Sequence, residues 1–492
     1  MKYYLGIDLG SSFVKTALIT SDGLHTVCLV QSPEHEMPII SKKDGWAEQD
    51  PELWWDCTKT NIINILKSTN INPKDILSVG ISYQMHGLVI IDADLKVLRH
   101  AIIWCDSRAV DAGNKTIGDL GKELFKIKMK NYPGNFTASK LRWVRENEAA
   151  IFNRIYKFML PGDYIAFKLT GEIKTTPTGL SEAILWDFCN NSISAELMNY
   201  YGFPTDIVPE VCDSFSQQGF LSESASLELG IPAGIPLTYR AGDQPNNAFS
   251  LNVMNPGEAA ATAGTSGVIY YIGGDNIFDD KNRINKFYHV NKLQGSLLCI
   301  NGTGILYKWL KNELFGGNVS YGEMNKLAET SPPGSKGLFA YPFGNGAERI
   351  LGNSFSSASF TGIQFNLHTG ADIIRASLEG ICFAFKYGLG IAKESGAEIN
   401  KIRAGNSNLF LCKLFREIFS AVTESSLDIY DTNGAVGAAI GASVGLSQNK
   451  ITEEAFENFK PVISIKPDEM LIKEYRKLYE KWKSGLDYTF GL

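Results

Sequence analysis

The chain of 492 residues is expected to be an α/β protein of more than one domain. Short apolar runs bounded by Gly, Ser and Asp alternate with longer stretches whose apolar residues recur at helical spacing. Hydrophobic residues make up 44% of the chain and charged residues 20%, so core formation is not limiting. At roughly 100–200 residues per domain, the length corresponds to about two to four domains.

The opening reads as two strands, 4–8 and 14–20, around the turn Gly10-Ser11-Ser12, with Ser21-Asp22-Gly23 turning the chain again. Residues 51–67 have helical spacing, with Asp50 and Pro51 marking the start. Residues 76–81 and 89–91 read as strands, and 140–148 as a helix with one polar face. A second unit is expected from near residue 251. There the strands 259–263 and 268–272 flank Gly264-Thr265-Ser266-Gly267, repeating the opening scheme of strand, small polar turn, strand. Residues 371–394 and 413–423 read as helices. Residues 436–444 form a helix of small residues suited to close packing, and 468–483 a charged amphipathic surface helix. No stretch has the composition of a flexible linker. Domains are expected at 1–250 and 251–492.

The net charge of -6, with no Lys/Arg run longer than pairs such as Lys42-Lys43, argues against a nucleic-acid partner. The eight cysteines include no C-x-x-C pair, and none of the six histidines has metal-ligand spacing. They read as thiols in a reducing compartment. Residues 1–8 read as a strand and not a signal peptide. The small-residue run 434–446 is too short to span a bilayer. A cytoplasmic location with no membrane partner is the expectation.

Five segments carry groups suited to chemistry. Asp8-Leu9-Gly10-Ser11-Ser12 places a carboxylate at a strand end. Backbone N–H groups and hydroxyls that can meet a phosphate follow it, and then Lys15, which can offset its charge. Asp8 could hold magnesium through water. Taken alone this is a common polar hairpin. Gly264-Thr265 repeats the chemistry, and two such turns could clasp a polyphosphate; nothing in the chain fits the Walker pattern. Asp243 sits at a strand-to-helix junction, where a carboxylate serves as a general base or as an N-cap. His86, in Tyr83-Gln84-Met85-His86-Gly87, follows a strand and falls in a loop that can bind a hydroxyl or simply be a satisfied histidine. Trp104-Cys105-Asp106-Ser107-Arg108 offers an apolar wall and polar tips for a polyol, or equally a core Trp beside an Asp–Arg pair.

Together these segments resemble the FGGY carbohydrate kinases, over nearly the whole chain. Gly6-Ile7-Asp8-Leu9-Gly10-Ser11-Ser12-Phe13-Val14-Lys15 is similar to the family's first phosphate motif. Gln84-Met85-His86-Gly87 is similar to the sugar loop of the branch that acts on xylulose, and the segment 46–55 to the one that branch carries nearby. Leu160-Pro161-Gly162-Asp163-Tyr164 and Leu169-Thr170-Gly171-Glu172 match a further block. The stretch from Phe360-Thr361-Gly362-Ile363 to Arg375-Ala376-Ser377-Leu378-Glu379-Gly380 fits the C-terminal signature.

The resemblance implies two actin-like (ribonuclease H-like) domains with the active site in the cleft between them. It implies transfer of the ATP γ-phosphate to O5 of D-xylulose, with Mg2+. Asp243 carries over as catalytic base. Met85 and His86 carry over as sugar contacts, joined by Asn247, with Trp104 and Asp106 as further candidates. Asp8 and Asp243 fall in the magnesium region. Gly10, Ser11, Ser12, Lys15, Gly264, Thr265, Gly302 and Thr303 fall on the phosphates, and Gly405 and Asn406 on adenine and ribose. Three positions depart from common family patterns: Gln244 after the base, Cys105 between Trp104 and Asp106, and the glycine-poor loop Ala404-Gly405-Asn406-Ser407-Asn408. The first two bear on sugar identity. Ribulose, gluconate and glycerol are therefore alternative substrates, and an actin-like ATPase switch is the alternative outside sugar chemistry. Family tendency makes a homodimer the expected assembly.

Overall fold

The expected opening hairpin is present in the computed structural model, which describes residues 1–273, 279, 281–344, 346–352, 357–447, 456 and 459–490. Strand β1 (Tyr3–Leu9) pairs antiparallel with β2 (Val14–Thr20), with Leu9 opposite Val14 across the Gly10–Phe13 turn. The chain continues into β3 (Thr26–Ser32), an exposed edge strand that sequence reading passed over. Its exposed Thr26, Val27 and Leu29 make it less apolar-inward than its neighbours. After helix α1 (Pro51–Thr69), strand β4 (Ile76–Tyr83) adds parallel to the other side of β1. Two later strands, β5 (Phe215–Phe220) and β6 (Pro236–Gly242), complete a sheet of order β5-β6-β4-β1-β2-β3. The pairs β6/β4 and β4/β1 are parallel, and the outer pairs are antiparallel.

Six strands of a second, seven-stranded sheet repeat this order and these directions. Strands β7 (Glu258–Ala263), β8 (Gly267–Gly273) and β9 (Gln294–Ile300) form an antiparallel meander. On the other side of β7 lie β10 (Lys401–Gly405) and β11 (Ser426–Tyr430), both parallel, then β12 (Ile463–Ile465), antiparallel. A three-strand meander followed by parallel strands, twice in one chain, is the duplicated α/β topology that the two similar turns foreshadowed.

Helices cover both sheets. In the first unit, α2 (Thr137–Asn147), α3 (Pro161–Thr170), α4 (Pro177–Glu182) and α5 (Asp243–Ser250) join α1. In the second, the long α6 (Gly370–Glu394) and α7 (Lys413–Thr423) carry a large share of the core, including Phe383, Phe385, Phe415 and Phe419. The signature around Arg375 is structural. Arg375 Nε and Tyr475 Oη both donate to Glu379 Oε1, at 2.9 and 3.0 Å, tying α6 to the terminal helix. A buried ion pair holds only when its remaining valences are met in this way.

The compact units are not two contiguous halves. The first is Met1–Asn252 with Lys286–Lys292 and Asn433–Phe459, and the second is Val253–Asn285 with Leu293–Thr432 and Lys460–Leu492. The expected boundary near 250 therefore needs an exchange of segments, and α8 (Gly434–Leu446) explains why. Its small residues let it lie directly on the first sheet. A Cβ on Gly6 would meet the Ala435 carbonyl oxygen at 2.0 Å, and one on Gly80 the Ala438 carbonyl oxygen at 2.0 Å. From the helix side, a Cβ on Gly441 would strike the Tyr239 ring at 2.4 Å. At such separations backbone meets backbone, and dispersion contacts replace side-chain interdigitation. Among the described residues no helix is long and apolar enough to cross a membrane.

Candidate active site

The parallel strands β1, β4 and β6 end together, and the carboxyl edge they form is where open α/β sheets place their ligands. Register puts Asp8 opposite Ser82 and Ala241 opposite Ser82, so the ends of all three strands are level. Ser82 Oγ donates to Asp8 Oδ1 at 2.7 Å. Burial pushes the Asp8 carboxyl above its ordinary range, against the opposing pull of Ser82 and of Lys15, its partner across the hairpin. The first turn of α8 closes on this carboxylate: a Cβ on Gly434 would sit 2.3 Å from Asp8 Oδ2. Asn433 caps that helix, its Oδ1 accepting from the N–H groups of Ala435 and Val436.

Asp243 opens α5 as β6 ends. Its side chain is half-buried, and its carboxyl is pushed up to about 7, first by desolvation and then by the charge of Asp8. The N-cap alternative does not describe it, because Asp243 lies inside the first turn and Gly242 holds the cap position. Asn247 follows one turn later on the same face of α5.

The loop after β4 is held from several sides. His86 has a φ of 63°, a left-handed conformation that a non-glycine residue keeps only when its surroundings enforce it. Lys140 Nζ, on α2, donates to the His86 carbonyl at 2.7 Å. Burial lowers the Lys140 ammonium to about 7, with Asp106 the largest opposing influence. The His86 ring packs edge-on against Phe136, with centroids 4.4 Å apart, and tilts against Phe287 at 5.2 Å. Its Nδ1 lies 3.1 Å from the Glu182 carbonyl oxygen and 3.7 Å from Glu182 Oε2. Met85 is buried beside Gly242, where an added Cβ would meet Met85 Cγ at 2.6 Å. Met85, His86 and Asp243 thus share one corner of the first unit.

Trp104 and Asp106 part company. Trp104 is half-exposed, and its Nε1 donates to Ser11 Oγ at 3.3 Å, against the Gly10–Phe13 turn. Asp106 is fully buried and both its oxygens are committed. It accepts from Ala47 N–H at 2.6 Å and from Arg108 through N, Nε and Nη2. Arg108 in turn stacks over Trp46, 3.7 Å from the ring centroid. Of the two readings open for this segment, Asp106 takes the structural one, because a carboxylate saturated by a guanidinium and backbone has no valence left for a hydroxyl.

In the second unit the Gly264-Thr265-Ser266 turn is braced from below. Thr303 Oγ1 donates to the Gly264 carbonyl at 2.7 Å, and Gly304 N–H donates to the same oxygen at 2.7 Å. Gly302 has φ 89°, and a Cβ there would fall 1.5 Å from the Pro342 carbonyl, so only glycine fits. Gly302 and Thr303 therefore support the turn, and Gly264 and Thr265 present it. A cavity of about 660 Å³ opens beside that turn, lined among others by Gly264, Thr265, Tyr307, Asn408, Leu409 and Cys412. Gly405 and Asn406 are not on its wall. Gly405 ends β10 and Asn406 follows it, its N–H donating to the Tyr430 carbonyl at 2.8 Å, and later residues of that loop, Asn408 and Leu409, take the lining role. The volume suits a drug-sized ligand with a flat apolar part.

Residues 3–250 match the N-terminal domain of the FGGY family of carbohydrate kinases, and residues 259–446 match its C-terminal domain. The chain belongs to the FGGY family of carbohydrate kinases. A xylulose kinase of Bacillus subtilis is 28% identical over 498 residues, covering 100% of this chain and 98% of its own. Among solved structures, a xyloylose kinase from Brucella ovis superposes with a TM-score of 0.86 at 26% identity, covering 98% of each chain. A gluconate kinase from Lactobacillus acidophilus reaches 0.89 at 21% identity, covering 100% of this chain and 99% of its own, and shares the fold.

Three features of this FGGY kinase escaped sequence reading. Glu182 and Lys140 reach His86 from 96 and 54 residues away, and no local pattern marks them. Gly434 lies in a run that reads only as a packing helix. The sole sequence signal near Glu182 is the helix start Thr176-Pro177, whose Thr176 Oγ1 accepts from Gly179 N–H at 3.0 Å.

Proposed function

We propose that this FGGY kinase transfers the γ-phosphate of ATP to O5 of D-xylulose, giving D-xylulose 5-phosphate. The observation that carries the reading is Asp243, a carboxyl poised near neutrality beside Met85 and His86. A general base works best when its pKa lies near the working pH. Asp243 accepts the proton of the sugar hydroxyl as its oxygen attacks the γ-phosphorus and the bond to the β-phosphate oxygen breaks. Met85, His86 and Asn247 hold the sugar. In the first unit the backbone of Gly10, Ser11 and Ser12, with Lys15, is suited to phosphate oxygens; in the second, the turn at Gly264 and Thr265 offers the same chemistry, and the cavity beside Tyr307 and Asn408 suits a nucleoside.

The charge of Asp8 raises the pKa of Asp243, and a divalent cation is the group that relieves such a pair. These residues fit Mg2+, which Asp8 and Asp243 would hold, in part through water. Bound there, it supplies charge neutralisation at the phosphates. The relatives support the sugar. The xylulose kinase of Bacillus subtilis aligns along the whole chain, and the Met85-His86 pair is what the resemblance to the xylulose-acting branch rests on. ATP as phosphoryl donor suits a cytoplasmic enzyme.

ATP consumption measured with D-xylulose, D-ribulose, L-ribulose, gluconate and glycerol, with and without magnesium, tests this. A magnesium-dependent preference for D-xylulose is expected. A preference for another sugar would replace the substrate and keep the phosphoryl chemistry. Turnover that no sugar stimulates would point to an ATPase switch.

A further inference from the structure

Glu182 is the least explained charged residue near the sugar corner. It is 1% exposed, and neither carboxyl oxygen has a hydrogen-bond partner among the described residues. The Tyr83 hydroxyl and the His86 backbone N–H lie close enough to favour its ionised form, short of full hydrogen-bond geometry. Asp243 and Asp163 add unfavourable charge on top of burial. A buried, unpaired carboxyl lowers stability relative to an apolar group of the same shape. Its contacts do not offset burial, since the carboxyl is still held well above its ordinary range, so folding alone does not account for its presence.

Its surroundings supply one. Glu182 ends α4, and both its carbonyl oxygen and its Oε2 face Nδ1 of His86, at 3.1 and 3.7 Å. A carbonyl oxygen only accepts, so Nδ1 carries a proton and the ring has one tautomer at this contact. The same carboxyl reaches the corner that presents the base: a Cβ added to Gly242 would lie 3.2 Å from Glu182 Oε2. Lys140 pins the His86 carbonyl, and Phe136 and Phe287 pin the faces of the ring. Glu182 is the group that faces the ring's Nδ1 edge.

We propose that Glu182 is a positioning residue that acts through His86, orienting the imidazole for the sugar and so controlling sugar binding without affecting nucleotide binding. This rests on the reading that Met85, His86 and Asp243 hold the sugar. It goes beyond that reading by assigning a role to a buried residue outside the sugar contacts named there. The backbone carbonyl fixes the Nδ1 proton whatever side chain stands at 182; the carboxyl adds the contact at 3.7 Å that biases the imidazole, and this is what Glu182→Leu removes, at the expense of local stability in the wild type.

The test is a double-mutant cycle on the full-length enzyme with Glu182→Leu, His86→Ala and the pair. Sugar KM, ATP KM and thermal midpoint are measured with whichever sugar the wild type turns over fastest. Glu182→Leu should raise the sugar KM on the order of 10-fold, as losses of orienting groups do elsewhere. The ATP KM should stay within about twofold, and the thermal midpoint should be equal or higher. Combined with His86→Ala it should add nothing further. A wild-type sugar KM in Glu182→Leu, or a loss that adds fully to that of His86→Ala, overturns the proposal. Should Glu182→Leu fail to fold, Glu182→Gln decides: a severalfold rise in sugar KM alone supports the role, and an unchanged one removes it. Choosing the best sugar keeps the two readings apart. A substrate other than xylulose would revise the proposed function while the coupling of Glu182 to His86 is still read.

Discussion

Asp243 is a carboxyl whose surroundings resist its ionisation, and both catalysis and stability follow from that. Only the ionised form accepts a proton, so kcat/KM for the sugar should fall as pH drops through the Asp243 pKa, which is about 7 in the metal-free protein and is lowered when the cation binds. Asp243→Asn should lower kcat by about 10²–10⁴-fold and remove that limb of the profile, as sugar-dependent ATP consumption across pH will show. The stability sign is opposite to that of a salt-bridged acid. Folding raises this pKa from 3.8 to about 7, so between those values the unfolded chain ionises and the folded one does not. Raising pH through that window therefore favours the unfolded state. Asp243→Asn should accordingly gain thermal stability relative to the wild type as pH rises from 4 to 7 and hold the gain above it, as melting curves at several pH values will report. Asp243, Met85 and His86 were legible because each follows an apolar strand directly, so its place at the sheet edge is a local property. The commitment of Asp106 to Arg108 was not legible, since the same three residue types build a sugar wall or an ion pair depending on what packs above them.

At the scale of elements, α8 shows how composition can announce packing without announcing the partner. Thirteen residues, Gly434–Leu446, are small or apolar on all faces, which marks a buried helix. Its destination is set by the two glycines on the strands it covers, Gly6 and Gly80. A side chain on either would displace helix backbone and not a flexible side-chain end. Gly80→Val should therefore destabilise the first unit by about 1–3 kcal/mol or more, and calorimetry should show the loss while the second unit keeps its own transition. A variant that melts as the wild type does would contradict the close approach. The paired turns after β1 and β7 were readable in the same partial way. Strand, small polar turn and strand were clear in both, but not which residues brace a turn and which present it. Thr303 has the composition of a phosphate ligand and spends its hydroxyl on the Gly264 carbonyl.

For the whole molecule, the placement of α8 makes the first unit discontinuous. Residues 1–252 expressed alone should lack a cooperative thermal transition, because the sheet face formed by β1, β4 and β6 would stand open to water. Joining residues 433–459 through a flexible linker should restore one, and a cooperative transition in 1–252 alone would refute the dependence. The sequence by itself determined the α/β class, the duplicated hairpins and the residues at strand ends, because each is written in contiguous stretches where periodicity and turn chemistry act locally; the family entered through the resemblance of its motifs. Only the tertiary structure decided that a helix near residue 440 belongs to the first sheet, that Asp106 serves the scaffold, and that Glu182 and Lys140 converge on His86. Those outcomes depend on contacts separated by tens to hundreds of residues, where burial and close packing, not local propensity, choose the partner.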